Sequence, residues 1–217
     1  MTNSYSQVLA VACSILSYIM KKVTVYCGSN KGKNSIYEEG AKCLATEMIS
    51  RDMALVYGAG NVGLMGIIAD EMLMAGKTVY GIIPQKLVDI EVAHVGCTEL
   101  TVVETMRDRK WLMAEKGDGF IAMPGGIGTF EELFEIMTLN QLAYITKPLA
   151  LYNVGGYYDK LLAFLQFAVD EGFLKQAQLD MIIVSDDPVA LLDRMNNFQP
   201  VYVEKWEDLD FINKKAV

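Results

Sequence analysis

Met123-Pro-Gly-Gly-Ile-Gly-Thr-Phe-Glu-Glu132 decides the fold, because a buried strand, a glycine turn and the start of a helix meet in it. Gly119 to Met123 reads as a short strand, and from Thr129 the apolar positions Phe130, Leu133, Phe134, Ile136 and Met137 recur at helical spacing. Gly125, Gly126 and Gly128 therefore occupy a strand-to-helix turn. Backbone can approach a ligand closely there, and the first N–H groups of the helix have no internal partner. An anion such as a phosphate satisfies those donors and the helix dipole. Thr129 is expected to cap the helix or to donate its hydroxyl to the same anion. Glu131 and Glu132 fall in the first turn on this reading. A carboxylate there suits the dipole but repels a phosphate, so a sugar is the natural target of at least one. The Thr129-to-Glu132 spacing also fits an ordinary capping box, which needs no ligand.

The same alternation of strand and helix extends to both sides. Val23 to Tyr26 is a β-branched run that ends in Cys27-Gly28-Ser29-Asn30, and Ser35 to Arg51 follows as an amphipathic helix. Ala54 to Tyr57, Thr78 to Ile83, Thr98 to Val103, Leu149 to Asn153 and Met181 to Val184 read as further strands, with helices between most of them. About seven strands alternating with helices predict an α/β fold, Rossmann-like and doubly wound, with a mainly parallel sheet and helices on both faces. Ligands bind outside the carboxyl ends of the strands in such folds, which puts Gly28 and Ser29 within reach of one.

With 217 residues, 52% of them hydrophobic, and no Pro/Gly/Ser linker, residues 21–217 are expected to form one domain. Net charge is −8 and the pI is about 4.7, so a nucleic-acid partner is not expected. Cys13, Cys27, Cys43 and Cys97 have no metal-ligand spacing, which fits reduced thiols in a cytoplasmic protein, and no metal is expected. Residues 1–20 carry the apolar run Val8 to Met20, read as an extra helical extension. It lacks a basic start and is too short to span a bilayer, so no membrane partner is expected. His94, the single histidine, is expected to be structural.

Two further stretches bear on chemistry. Gly58, Gly60 and Gly63 satisfy G-x-G-x-x-G, but the motif follows the second strand and no acidic residue ends the next one. A second phosphate or ribose loop is therefore expected in place of a dinucleotide fingerprint. In Met106-Arg-Asp-Arg-Lys110, the cations Arg107, Arg109 and Lys110 begin a helix, which opposes its dipole unless an anion or a carboxylate meets them. A solvated charged face is the simpler reading.

Residues 124 to 132, PGGIGTFEE, resemble the PGGxGTxxE motif of the LOG ("lonely guy") family of cytokinin-activating phosphoribohydrolases. Tyr26 to Ser29, Tyr57 to Gly60 with Gly63 to Gly66, and Met106 to Lys110 are similar to family blocks in the same order. The resemblance implies a homodimer that hydrolyses the N-glycosidic bond of a nucleoside monophosphate, N6-substituted AMP, without metal or redox cofactor. It assigns the catalytic pair to Arg109 and Glu132, and the 5'-phosphate to Gly125, Gly126, Gly128 and Thr129. It sets Gly28, Ser29, Met106, Lys110, Gly58 and Gly60 around nucleotide and ribose. Arg107 stands where the family has histidine, and Ala59 where it has a middle glycine. Those departures keep a non-catalytic purine nucleotide carrier or sensor as the alternative. The chemistry of the pair favours the enzyme, because a carboxylate stabilises an oxocarbenium-like state and arginine keeps it oriented.

Overall fold

The computed structural model describes residues 20–90 and 92–199. The expected N-terminal extension lies outside these apart from Met20, and so does the tail from Val201. Seven strands are present: β1 (Lys22–Tyr26), β2 (Ala54–Tyr57), β3 (Val79–Pro84), β4 (Glu99–Val103), β5 (Gly119–Ala122), β6 (Leu149–Tyr152) and β7 (Ile182–Ser185). The helices among the described residues are α1 (Ile36–Ser50), α2 (Gly63–Met74), α3 (Gln85–Val88), α4 (Met106–Lys116), α5 (Ile127–Gln141), α6 (Asp159–Asp170), α7 (Gln176–Asp180) and α8 (Pro188–Asn196). No helix among them is long and apolar enough to cross a membrane.

All strand pairs are parallel, in the order β4-β3-β2-β1-β5-β6-β7. Covered on both faces, β5 and β6 are apolar without interruption, as a doubly covered parallel sheet requires. Alternate residues feed two cores. Val23, Val25, Leu55, Tyr57 and Ile121 pack with α1, α2 and α8, while Val56, Phe120, Leu149 and Leu151 pack with α4, α5 and α6. The strand order reverses between β1 and β5, where Val23 lies opposite Gly119 and Tyr26 opposite Ala122. Chains leaving these two carboxyl ends turn to opposite faces, which opens a crevice between them.

Three local expectations change. Helix α5 begins at Ile127, two residues before Thr129, with Gly126 as an N-cap that has no side-chain bond. Thr129 is thus the third helical residue, and Glu131 and Glu132 belong to the second turn. The capping box does not form, because Thr129 is turned onto the loop itself: a Cβ on Gly125 would lie 2.1 Å from its Oγ1. Helix α7 was not expected, since five residues carry too little periodicity to announce a helix.

Candidate active site

Gly28 ties the two glycine loops together. Its N–H donates to Pro124 O at 3.0 Å, and its carbonyl accepts from Leu64 N–H at 3.0 Å and Met65 N–H at 3.4 Å. The second contact changes the reading of Gly58 to Gly63. Gly28 takes the N–H groups of Leu64 and Met65, so the start of α2 offers an anion fewer donors than the start of α5, and the ribose half of the expected phosphate or ribose loop is the one this geometry favours. Gly63 is needed for a different reason: its φ is +63°, and a Cβ would lie 2.2 Å from the carbonyl carbon of Ser29.

Helix α5 differs. Among the described residues, no acceptor is bonded to the N–H of Ile127, Gly128 or Thr129. A Cβ built on Gly126 or Gly128 would meet nothing within 4 Å, so this end is open. It forms one wall of a cavity of about 490 Å³, to which Gly28, Ser29, Gly58, Gly60, Gly126, Gly128, Thr129, Arg109 and Glu132 all contribute. That volume lies within the usual range for small-molecule sites.

Arg109 reaches the cavity from the first turn of α4. The cap there is Thr105, whose Oγ1 accepts from Asp108 N–H at 3.1 Å, and Asp108 supplies a carboxylate to the cationic turn. The Arg109 guanidinium is buried and held on two sides: Nε donates to Ile82 O and Nη2 to Gly58 O, both at 3.1 Å. Gly58 is obligatory for this, because a Cβ there would lie 1.5 Å from Nη2. The remaining nitrogen, Nη1, lies 3.2 Å from Met106 Sδ and 3.5 Å from Glu132 Oε1. Glu132 is only 9% exposed. Burial raises its pKa to about 7, opposed by Arg109 and assisted by Glu131. Burial, and secondarily the Glu132 charge, also raises the Tyr26 hydroxyl and the Cys27 thiol. Glu132 is therefore the lining side chain able to exchange a proton near neutral pH.

Of the sequence-derived set, Gly125, Met106 and Lys110 do not line the cavity. Gly125 lies beneath it, packed on Gly28 and Thr129. Met106 is 44% exposed, and its Sδ contacts Arg109 Nη1. Lys110 turns outward to Glu131 and Glu135. Arg107 is exposed in a separate groove beside Trp111 and Glu135, so its departure from the family histidine does not alter the cavity wall. Ala59 is fully buried with φ +55°, and its side chain does not line the cavity either.

The sequence reading missed the apolar wall formed by Val62, Met65, Ile83, Leu87, Ile90 and Val92. Its Leu87, Ile90 and Val92 part belongs to a segment laced onto the second glycine loop, with Asn61 N–H donating to Val92 O at 3.0 Å and His94 N–H to Ala59 O at 2.8 Å. His94 is structural: Nε2 lies 2.9 Å from Asp70 Oδ1, and Nδ1 accepts from Gly96 N–H. Cys27 and Asn30, which flank Gly28-Ser29, and Ile127 inside the glycine motif also line the site and carried a local signal.

The profile of a family described as "possible lysine decarboxylase" matches residues 65–195. The chain is 40% identical over 194 residues to the cytokinin riboside 5'-monophosphate phosphoribohydrolase LOG2 of Arabidopsis thaliana, covering 89% of this chain and 88% of that protein. It is 42% identical over 181 residues to LOG5 of the same plant, covering 83% and 79%. A probable enzyme of the same name from Oryza sativa subsp. japonica, LOGL2, is 39% identical, covering 86% and 79%. Among solved structures, the molybdenum cofactor carrier protein of Chlamydomonas reinhardtii superposes with a TM-score of 0.62 at 16% identity, covering 82% of this chain and 96% of that one. The molybdenum cofactor binding protein of Rippkaea orientalis gives 0.62 at 20%, covering 83% and 98%. At such identities these two report the fold alone.

Proposed function

The chain belongs to the LOG family of cytokinin riboside 5'-monophosphate phosphoribohydrolases, and from that premise we propose that it hydrolyses the N-glycosidic bond of N6-substituted adenosine 5'-monophosphate. The products are free base and ribose 5-phosphate. One observation carries the reading to these residues: the Arg109–Glu132 pair, buried at 3.5 Å, faces a cavity bounded by the open N-terminus of α5.

The 5'-phosphate sits on the free N–H groups of Ile127, Gly128 and Thr129, with the ribose between them and Glu132. As the C1'–N bond breaks, positive charge develops on the sugar, and the largely buried Glu132 carboxylate stabilises it at close range. Water then adds to C1', giving up one proton, while the departing base takes one up. A carboxyl poised near neutrality can accept the proton from that water. Arg109 supports the ionised form of Glu132, and its anchorage on Ile82 O and Gly58 O keeps Nη1 directed at the carboxylate. The apolar wall from Val62 to Val92 is suited to the hydrocarbon part of a substituted base.

We read the protein as a cytoplasmic homodimer. Trp111, Phe134, Phe164 and Phe167 are exposed on α4, α5 and α6, the helices of one face of the sheet, and a self-complementary contact would bury them. Sedimentation of the full chain at the mass of a monomer would remove that part of the reading. The enzymatic part is tested by chromatographic detection of free base from AMP and from N6-isopentenyl-AMP. Release by the wild type that disappears in Glu132→Gln supports it, and tight binding without release refutes it.

A further inference from the structure

We propose that Tyr157 and Tyr158 are positioning residues for phosphate recognition, acting through the backbone of the glycine loop; the inference rests on the nucleotide reading above. Three consecutive carbonyls in that loop are each held by a donor. Met123 O accepts from the Tyr158 hydroxyl at 2.6 Å, Pro124 O from Gly28 N–H at 3.0 Å, and Gly125 O from the Tyr157 hydroxyl. A carbonyl turned toward the cavity would repel an anion. Pinning all three elsewhere leaves the N–H groups from Ile127 onward as the polar face that the loop offers.

The tyrosines are themselves held rigidly. They follow a 3₁₀ turn, Val154–Gly156, in which Gly155 has φ +60° and a Cβ would lie 2.4 Å from Ile36 Cδ1. Asn153 accepts from Tyr158 N–H and donates to Asp159, both at 2.7 Å. Tyr158 is fully buried. The Tyr157 ring packs on Phe130 at 6.5 Å and edge-on to Tyr37 at 5.8 Å and Tyr158 at 5.1 Å. Ring packing therefore sets where each hydroxyl lies, and replacement by phenylalanine removes the donor while keeping the ring.

Calorimetric titration of the full chain with ribose 5-phosphate and with adenosine tests the proposal in wild type, Tyr157→Phe and Tyr158→Phe. The expected result is a loss of ribose 5-phosphate affinity of about three- to tenfold in each variant, with adenosine affinity unchanged. In turnover of AMP the loss falls on KM rather than kcat. Ribose 5-phosphate affinity within twofold of wild type in both variants overturns the inference and leaves the nucleotide reading standing. Equal losses for both ligands overturn it too, since that is general loosening of the site. A wild type that binds neither ligand removes the nucleotide reading and this inference together. Should Tyr158→Phe fail to fold, Tyr157→Phe decides, because its hydroxyl is in a half-buried position.

Discussion

Two ion-pair sites join α4 to α5, and they use adjacent residues of each helix. Lys110, its side chain 15% exposed, meets Glu131 and, at 3.2 Å, Glu135, whose side chains are 52% and 37% exposed. Arg109 meets Glu132 at 3.5 Å, and both side chains are 11% exposed. The tighter contact is the less consequential one. Pairs whose carboxylates reach solvent contribute little, because water screens them and long side chains lose freedom in forming them. The looser, buried pair leaves a carboxyl whose pKa is raised to about 7 by burial, which is a condition for chemistry and a cost to the fold. One step along each helix separates a brace from a reactive group.

The largest effect expected from breaking this contrast is on turnover. Glu132→Gln or Arg109→Ala should lower base release by about 10²–10³-fold, the loss typical of removing one electrostatic partner of a transition state. Lys110→Ala, measured in the same assay, should lie far closer to wild type. Equal losses at both sites would erase the distinction.

Stability should respond in the opposite sense. The Glu132 carboxyl binds its proton more tightly in the folded chain, so it favours folding below its unfolded pKa and that contribution is lost as pH rises through about 7. Urea unfolding of Glu132→Gln and wild type should therefore diverge between pH 4.5 and 7 in favour of the variant, by up to about 3 kcal/mol. Over the same range kcat/KM of the wild type should rise, because the ionised form carries the proposed role. A flat difference between the two proteins would mean that Glu132 is ionised throughout.

The site whose carboxylates face solvent should yield less. Lys110→Ala is expected to change unfolding free energy by less than about 1 kcal/mol, and the change should shrink further at high salt. The smallest effect concerns Ala59, which holds φ +55° where an L-residue is strained. Ala59→Gly should stabilise the chain by no more than about 1 kcal/mol, since relief of strain is partly offset by a more flexible unfolded state. Thermal melting at one pH suffices to measure it.

Much of the architecture was legible locally. Short runs of four to six residues, mostly apolar but alternating at Thr98 to Val103, marked the seven strands, and Pro188 marked the start of α8. Residues 123 to 132 announced a glycine turn opening a helix. They did not reveal that the helix begins at Ile127, because Gly128 is a poor helix former and its place in the first turn depends on the loop packed beneath it. Likewise G-x-G-x-x-G at Gly58 looked like an anion loop. Only the folded chain brings Gly28 O to the Leu64 and Met65 donors of α2, which leaves fewer of them for an anion.

The sequence by itself determined the alternation of strand and helix, the family, and the residue types of the site. These follow from spacing within a few turns of chain, where periodicity and backbone freedom act directly. The resemblance had already singled out Arg109 and Glu132, but only the tertiary structure showed why: Arg109 and Glu132 are buried at the cavity while Lys110 meets Glu131 outside it, and it alone revealed that Tyr157 and Tyr158 hold the glycine loop. Each of those outcomes depends on burial by segments distant in the sequence, and burial is what turns a charged side chain from a solvated brace into a group with a shifted pKa.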